Sequence, residues 1–336
     1  MQLPRGPNTC NVMLSAAGRR VALMRLLQQS IDSLGIPGGV LAMDIHRTSP
    51  AMQLAPESII VPPYRDPRCL PALLEICRQY SLRLIVPTID PELTFYSQHQ
   101  DKFRLLGCRI NISSPQTIEI GFDKQQTHEF LINHSFPTVR QATLQEMLDS
   151  KADLELPLIV KPRRGSSSIG ITTAITRQHL EARSHEPELL VQSIAQGQEY
   201  TVDVFIDRAG RCRCAVPRRR IETRAGEVSK AVTVRHPSVS DLARRVAEAL
   251  PQAFGVLNIQ IFHDPRTDQM AVIEINPRFG GGYPLSHEAG APMARWLLED
   301  ILDMPSGHEY DRWRAGLVML RYDEAVFVEA RQAGVE

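Results

Sequence analysis

Two apolar runs near the C-terminal end carry the side chains best suited to chemistry: Val256-Leu257-Asn258-Ile259-Gln260-Ile261-Phe262-His263-Asp264 and Ala271-Val272-Ile273-Glu274-Ile275-Asn276-Pro277-Arg278. The turn-rich segment Asp264-Pro265-Arg266-Thr267-Asp268 separates them, so they read as a hairpin. Side chains alternate across a strand, which puts Glu274 and Asn276 on one side; Gln260 joins them if the register agrees. Three oxygen-bearing groups would then converge. Such ligands suit Mg²⁺, which is held by one or two carboxylates together with phosphate oxygens and water. Arg278 can offer a planar cation to an oxyanion. A solvated hairpin is the alternative, but Asn276-Pro277-Arg278-Phe279 running into three glycines, Gly280 to Gly282, is a poor end for an ordinary strand.

A second set lies upstream. The β-branched run ending in Lys161 leads into Pro162-Arg163-Arg164-Gly165-Ser166-Ser167-Ser168, and the chain then returns as a strand over 171–176. A loop rich in backbone donors suits phosphates, with Ser166 and Ser167 as candidates, but its spacing is not that of the usual P-loop. Leu189 to Phe205 reads as strand, Gly-containing crossing, strand. An adenine ring needs an apolar slot and edge hydrogen bonds, which Gln192 and the backbone to Ala195 can supply; Glu199 can accept from a ribose.

The elements that must position these groups fall into two styles. From Cys10 to about Asn111 strand and helix signals alternate: strands at 10–15, 39–44 and 84–86, helices at 19–29 and 67–80. This is the pattern of a parallel, doubly wound sheet. The turn Ser15-Ala16-Ala17-Gly18-Arg19-Arg20 keeps one glycine where a dinucleotide fingerprint needs three. Asp90 and Glu92 follow a strand's carboxyl end, where they can touch substrate or cap a helix. From Ser114 the pattern turns to α+β, with a helix opening at Asp123-Lys124 and another over 238–254. Between Arg211 and Arg235 eight cations face two glutamates, without interleaved aromatics. They are expected to face a triphosphate and an anionic substrate, with Arg218 and Arg220 on one strand face and Arg219 on the other.

In this order, the parts resemble the ATP-grasp superfamily. The resemblance runs through Lys124, Lys161 with its Gly/Ser loop, Gln192 to Glu199, Gln260, Glu274-x-Asn276 and Arg278. It is nearest to stand-alone ligases related to halves of the carbamoyl-phosphate synthase large subunit. It implies an ATP-grasp fold, α/β then α+β, with an N-terminal Rossmann-like pre-ATP-grasp domain at 1–113. Two lobes at 114–195 and 196–310 and a C-terminal tail at 311–336 with no assigned structure would follow. It implies that Lys124 and Lys161 contact ATP, that Gln192 meets the adenine amino group and that Glu199 holds the ribose. Gln260, Glu274 and Asn276 would hold Mg²⁺ or Mn²⁺, Arg278 would steady an acyl phosphate, and Lys230 would face phosphate. Arg220, Gly281, Gly282, His287 and Glu288 are expected near substrate, the last two at the start of a helix. The implied activity is ATP-dependent joining of a carboxylate to an amine with release of ADP. A carbamoyl-phosphate-synthase-like kinase and a non-catalytic nucleotide-binding protein are the alternatives.

Composition sets the frame. Lysine plus arginine and aspartate plus glutamate each total 38 in 336 residues, so no global field recruits nucleic acid. No apolar stretch approaches a membrane span and residues 1–8 carry no periodicity, which predicts no ordered element there. The cysteines at 10, 69, 77, 108, 212 and 214 include no Cys-x-x-Cys and predict free thiols in a reducing, cytoplasmic setting. The expected partners are a small carboxylate and an amine, with neither nucleic acid nor membrane, and a homodimer is compatible with this reading.

Overall fold

The computed structural model describes residues 3–6, 8–165, 169–224, 226–305 and 308–335. Strands β1 (Asn11–Ser15), β2 (Val40–Asp44), β3 (Glu57–Ile60), β4 (Leu82–Pro87) and β5 (Arg109–Ile110) form a wholly parallel sheet in the order β3-β2-β1-β4-β5. β1 and β2 are buried throughout, as apolar runs covered on both faces must be. Around them lie α1 (Val21–Ser33), α2 (Pro50–Leu54), α3 (Cys69–Tyr80) and α4 (Asp90–Arg104). Residues 3–6 form no helix or strand, but they pack on this sheet. Leu3 is buried in this core, and Asn11 Nδ2 donates to the Pro4 carbonyl at 2.6 Å.

After α5 (Pro115–Phe122) and α6 (Lys124–Asn133), a small antiparallel sheet orders β6 (Gln141–Thr143), β9 (Leu189–Ser193), β7 (Leu158–Pro162) and β8 (Thr172–Ala174), with α7 (Leu144–Leu148) and α8 (Arg177–Glu181) packed on it. The third sheet runs β14 (Gln269–Asn276), β13 (Gly255–Asp264), β10 (Gln198–Ile206), β11 (Cys212–Arg224), β12 (Glu227–Thr233), β15 (Val318–Leu320). β15 lies within the segment expected as a tail and pairs antiparallel with β12.

That sheet sorts its side chains by the period of two. Tyr200, Val202 and Val204 of β10, Ile259 and Ile261 of β13 and Ile275 of β14 share a core with Val239, Leu242 and Val246 of α9 (Pro237–Ala249). Their neighbours Glu199, Thr201, Asp203, Asn258, Gln260, Glu274 and Asn276 face the other way and give the sheet one polar face. Helices α10 (Tyr283–Glu288) and α11 (Met293–Ile301) follow β14, and α12 (Ala330–Ala333) ends the chain. Leu27 and Ile31 of α1 share a core with Phe205, Trp296 and Leu297, which ties the parallel-sheet region to the large sheet.

Candidate active site

The polar face of the large sheet floors a cleft of about 340 Å³. Registry builds the floor: Glu274 of β14 pairs with Gln260 of β13, which pairs with Thr201 of β10, which pairs with Arg218 of β11. One row across four antiparallel strands therefore carries Glu274, Gln260, Thr201 and Arg218 on the same face. In the next row Asn276 pairs with Asn258, and Asn258 with Asp203. Among the described residues neither Glu274 nor Gln260 makes a side-chain hydrogen bond or ion pair within the protein, so their oxygens are free. Asn276 Oδ1 accepts from Arg278 at 3.3 Å. One carboxylate and two amides make a weak cage by themselves, and no group of three or more His, Cys, Asp or Glu that could hold a metal occurs among the described residues. The donor set fits Mg²⁺ taking most of its ligands from nucleotide phosphates and water.

Two lysines line the cleft with them. Lys161 is buried at 4% exposure on β7, and its Nζ donates to Gln192 Oε1 at 2.8 Å. Burial lowers its pKa to about 8, with Glu274 opposing the shift and Lys124 adding to it. Lys124 opens α6 and donates to the Gly165 carbonyl at 2.8 Å; burial lowers its pKa too, against the pull of Glu274, Asp90 and Asp123. The fully buried Asp123 caps α6 through the Gln125 and Gln126 amides. It also takes Arg163 at 2.7 Å and Arg164 at 3.2 Å, so one carboxylate anchors the root of the Gly/Ser loop. Ser166 and Ser167 lie outside the described residues. Since the phosphate-facing form of Lys161 is the ammonium, MgADP affinity is expected to be flat below pH 7. It should weaken by up to about tenfold per unit as pH rises above about 8. In Lys161→Met the affinity should be lower and the alkaline limb absent; calorimetric titration across pH 6.5–9.5 reads both, and an unchanged limb in the variant would remove Lys161 from the site.

Other expected site residues divide. Glu199 lines the cleft but is held by Arg220 Nη1 at 3.0 Å, while Arg220 Nε donates to Thr201 Oγ1 at 3.0 Å. Burial raises the Glu199 pKa, opposed by Arg220 and reinforced by Glu274. Gln192 lies beneath the cleft, where it holds Lys161 and donates to Gln141 Oε1 at 3.2 Å; Ala195 is not among the lining residues. Lys230, expected to face phosphate, instead stands outside the cleft, because a register irregularity in the β11–β12 ladder pairs it with Glu222, 2.6 Å away. His287 and Glu288 end helix α10 instead of starting one. His287 Nδ1 meets the Tyr283 hydroxyl at 3.2 Å, and neither residue lines the cleft. Arg219 is exposed on the face opposite Arg218 and Arg220, as alternation requires.

Several residues are decided by contacts distant in sequence. Arg278 reaches the cleft with its fork already filled: Nε and Nη2 donate to Asp90 at 2.6 and 2.8 Å, and Nη1 to the Phe279 carbonyl at 3.3 Å. Asp90 is the first residue of α4, with Ile89 as N-cap, so its carboxylate holds Arg278 and does not cap the helix. Glu92, two residues on, is buried away from the cleft; burial raises its pKa to about 7 although Ser15 Oγ donates to it at 2.6 Å. Arg218 is 1% exposed and makes a two-pronged pair with the fully buried Asp203, at 2.7 and 2.9 Å, where Ser286 Oγ also donates at 2.6 Å. Its Nη1 finds no partner among the described residues. The glycine run is explained by close approach: a Cβ on Gly282 would collide with Arg218 Nη1, and one on Gly281 would lie 2.6 Å from Arg20 Nη1. Arg20, from the turn before α1, was not singled out in sequence; an arginine pair after a turn glycine is the only local signal it leaves.

Three family models match the chain in overlapping or adjoining segments. A PylC-like N-terminal domain covers residues 12–111, the C-terminus of D-Ala–D-Ala ligase 125–226, and an ATP-grasp protein of a biosynthetic pathway with the Ter operon 185–324. The D-alanine–D-alanine ligase of Anaplasma centrale is 30% identical over 154 residues, 41% of this chain and 74% of that protein. This chain belongs to the ATP-grasp superfamily. A second D-alanine–D-alanine ligase, from Chromohalobacter salexigens, is 30% identical over 155 residues, 41% of this chain and 48% of that protein. The match thus spans about half of that ligase. N5-carboxyaminoimidazole synthetase from Staphylococcus aureus, solved with ADP, shares the ATP-grasp fold at a TM-score of 0.69, 18% identity and coverage of 88% of this chain and 78% of that one. No described helix is long and apolar enough to cross a membrane.

Proposed function

We propose that this ATP-grasp chain is an ADP-forming ligase that activates a carboxylate as its acyl phosphate and joins it to an amine. The observation that carries the reading is the set of groups gathered in one cleft: Lys124 and Lys161, the oxygens of Glu274, Gln260 and Asn276, and Arg278 with the Gly280–Gly282 run. Among the described residues no serine, cysteine or histidine nucleophile lines it. A carboxylate is a poor electrophile, and a mixed anhydride with phosphate supplies the missing leaving group. Phosphoryl transfer asks the protein for alignment and charge neutralisation. Glu274, Gln260 and Asn276 would hold Mg²⁺, which would offset the charge of the phosphates. The ammonium groups of Lys124 and Lys161 neutralise the nucleotide's phosphates, and Glu274, Gln260 and Asn276 present oxygens to the metal. The buried Arg278, immobilised by Asp90, keeps a fixed positive charge beside the attacking carboxylate at no reorganisation cost. The two D-alanine–D-alanine ligases and the ADP complex among its relatives support this assignment.

The test follows the atoms. A panel of carboxylates and amines is screened for stimulated ADP release, and the active pair is repeated with ¹⁸O in the carboxylate. One label atom is expected in inorganic phosphate, because the carboxylate oxygen becomes the bridge to phosphorus. AMP as the nucleotide product, or phosphate free of label, overturns the acyl phosphate route.

A further inference from the structure

Around Arg278 and the glycine run, one pole of the cleft holds more guanidinium than carboxylate. Four arginines meet there: Arg20 from the turn before α1, Arg218 from β11, Arg278 after β14 and Arg321 after β15. Three carboxylates answer them. Both Asp90 oxygens are taken by Arg278 and both Asp203 oxygens by Arg218. Glu227 is shared, Oε1 lying 3.1 Å from Arg20 and Oε2 3.1 Å from Arg321. Burial alone would raise Glu227, yet Arg20, Arg321 and Arg19 together hold its carboxyl below the usual range. Every carboxylate oxygen at this pole is therefore engaged, while donors are left over. Arg20 is bound only through Nη2; its Nε and Nη1 have no partner among the described residues, and it lines the cleft against Gly281.

We propose that Arg20 anchors a carboxylate that does not react, carried by one of the two substrates of the ligase proposed above. A planar fork with a free edge matches a carboxylate, and the pole lacks one negative charge. The reacting carboxylate belongs nearer the metal-facing groups. Arg20 stands against Gly281 and Glu227, whereas Glu274 pairs with Gln260 in the sheet, so the group at Arg20 is distinct from the one at the metal-facing oxygens. Two sources share this chemistry: a dicarboxylate donor activated at its other end, or an amino acid whose amine is the acceptor. The inference rests on the proposed ligase reading only for which end reacts.

Binding tests it without turnover. The full chain saturated with MgADP is titrated calorimetrically with glutarate against its monoamide, and with L-alanine against L-alaninamide. In wild type, one pair is expected to favour the free carboxylate by about tenfold or more, since a charge-assisted fork is lost on amidation. The glutarate pair identifies the donor as the source and the alanine pair the acceptor. In Arg20→Met that preference should collapse to about threefold or less, with MgADP affinity and melting temperature unchanged; Arg20→Lys, which keeps charge without the fork, should fall between. If Arg20→Met loses stability, Arg20→Lys carries the reading. Absence of any preference in wild type, or its persistence in the Arg20 variants, overturns the assignment. The ¹⁸O experiment fails or succeeds independently of these ratios.

Discussion

Glu274→Gln lowers turnover by about 10²–10³-fold while the protein stays folded. Glu274 is the one carboxylate among the three groups proposed to face the metal, and no protein partner among the described residues depends on it. Its loss removes the only carboxylate offered to Mg²⁺, so the cation that would neutralise the phosphates is held less well, and weakening one such charge-stabilising element costs about that much. Steady-state ADP release as a function of Mg²⁺ should show a lower plateau and a midpoint displaced to higher metal. A second signature separates this from a general defect. Glu274 also raises the pKa of Lys161 and of Lys124, so its loss lets both fall further. The alkaline limb of nucleotide affinity then moves below about pH 8. Wild-type turnover with a wild-type Mg²⁺ midpoint would take the metal away from this hairpin.

Arg218→Met destabilises the fold by about 3–5 kcal/mol, the range for stripping one partner from a buried ion pair. Asp203 is fully buried, and the variant leaves it only the Ser286 hydroxyl. That carboxylate must then be protonated or left short of partners beneath the cleft floor, so the cost falls on the native state. Asp203→Leu alone should cost a comparable amount by leaving the guanidinium bare. Combining the two removes both charges, and the loss should be well below the sum of the singles. Chemical denaturation measures all three. An Arg218→Met protein within about 1 kcal/mol of wild type would mean that water or a displaced side chain from the cleft satisfies Asp203 in place of the guanidinium.

Periodicity and local chemistry decided a good deal of this protein before any tertiary contact. Alternation over Glu199-Tyr200-Thr201-Val202-Asp203, Asn258-Ile259-Gln260-Ile261 and Glu274-Ile275-Asn276 already separates a polar face from an apolar one. The sheet obeys it because a strand has no other way to sort side chains. Asp123 before Lys124 is a helix cap readable from residue types. The strand–helix alternation of the first hundred residues likewise becomes a parallel sheet.

Tertiary structure alone decided which cation stands where. Arg278 and Asp90 are 188 residues apart in sequence, and no local pattern announces that one fills the other's fork. Arg20 enters the cleft because α1 packs on α11 through a shared apolar core, a placement invisible in Arg19-Arg20 itself. Lys230 leaves it because a register irregularity between β11 and β12 sets it against Glu222, and spacing in sequence does not reveal a bulge. Gln192, a plausible adenine partner by position, is committed to Lys161 once β7 and β9 pair. The division has one physical cause. Residue type and period act over a few positions, whereas a buried charge is satisfied by whichever opposite charge the packed core brings within about 3 Å.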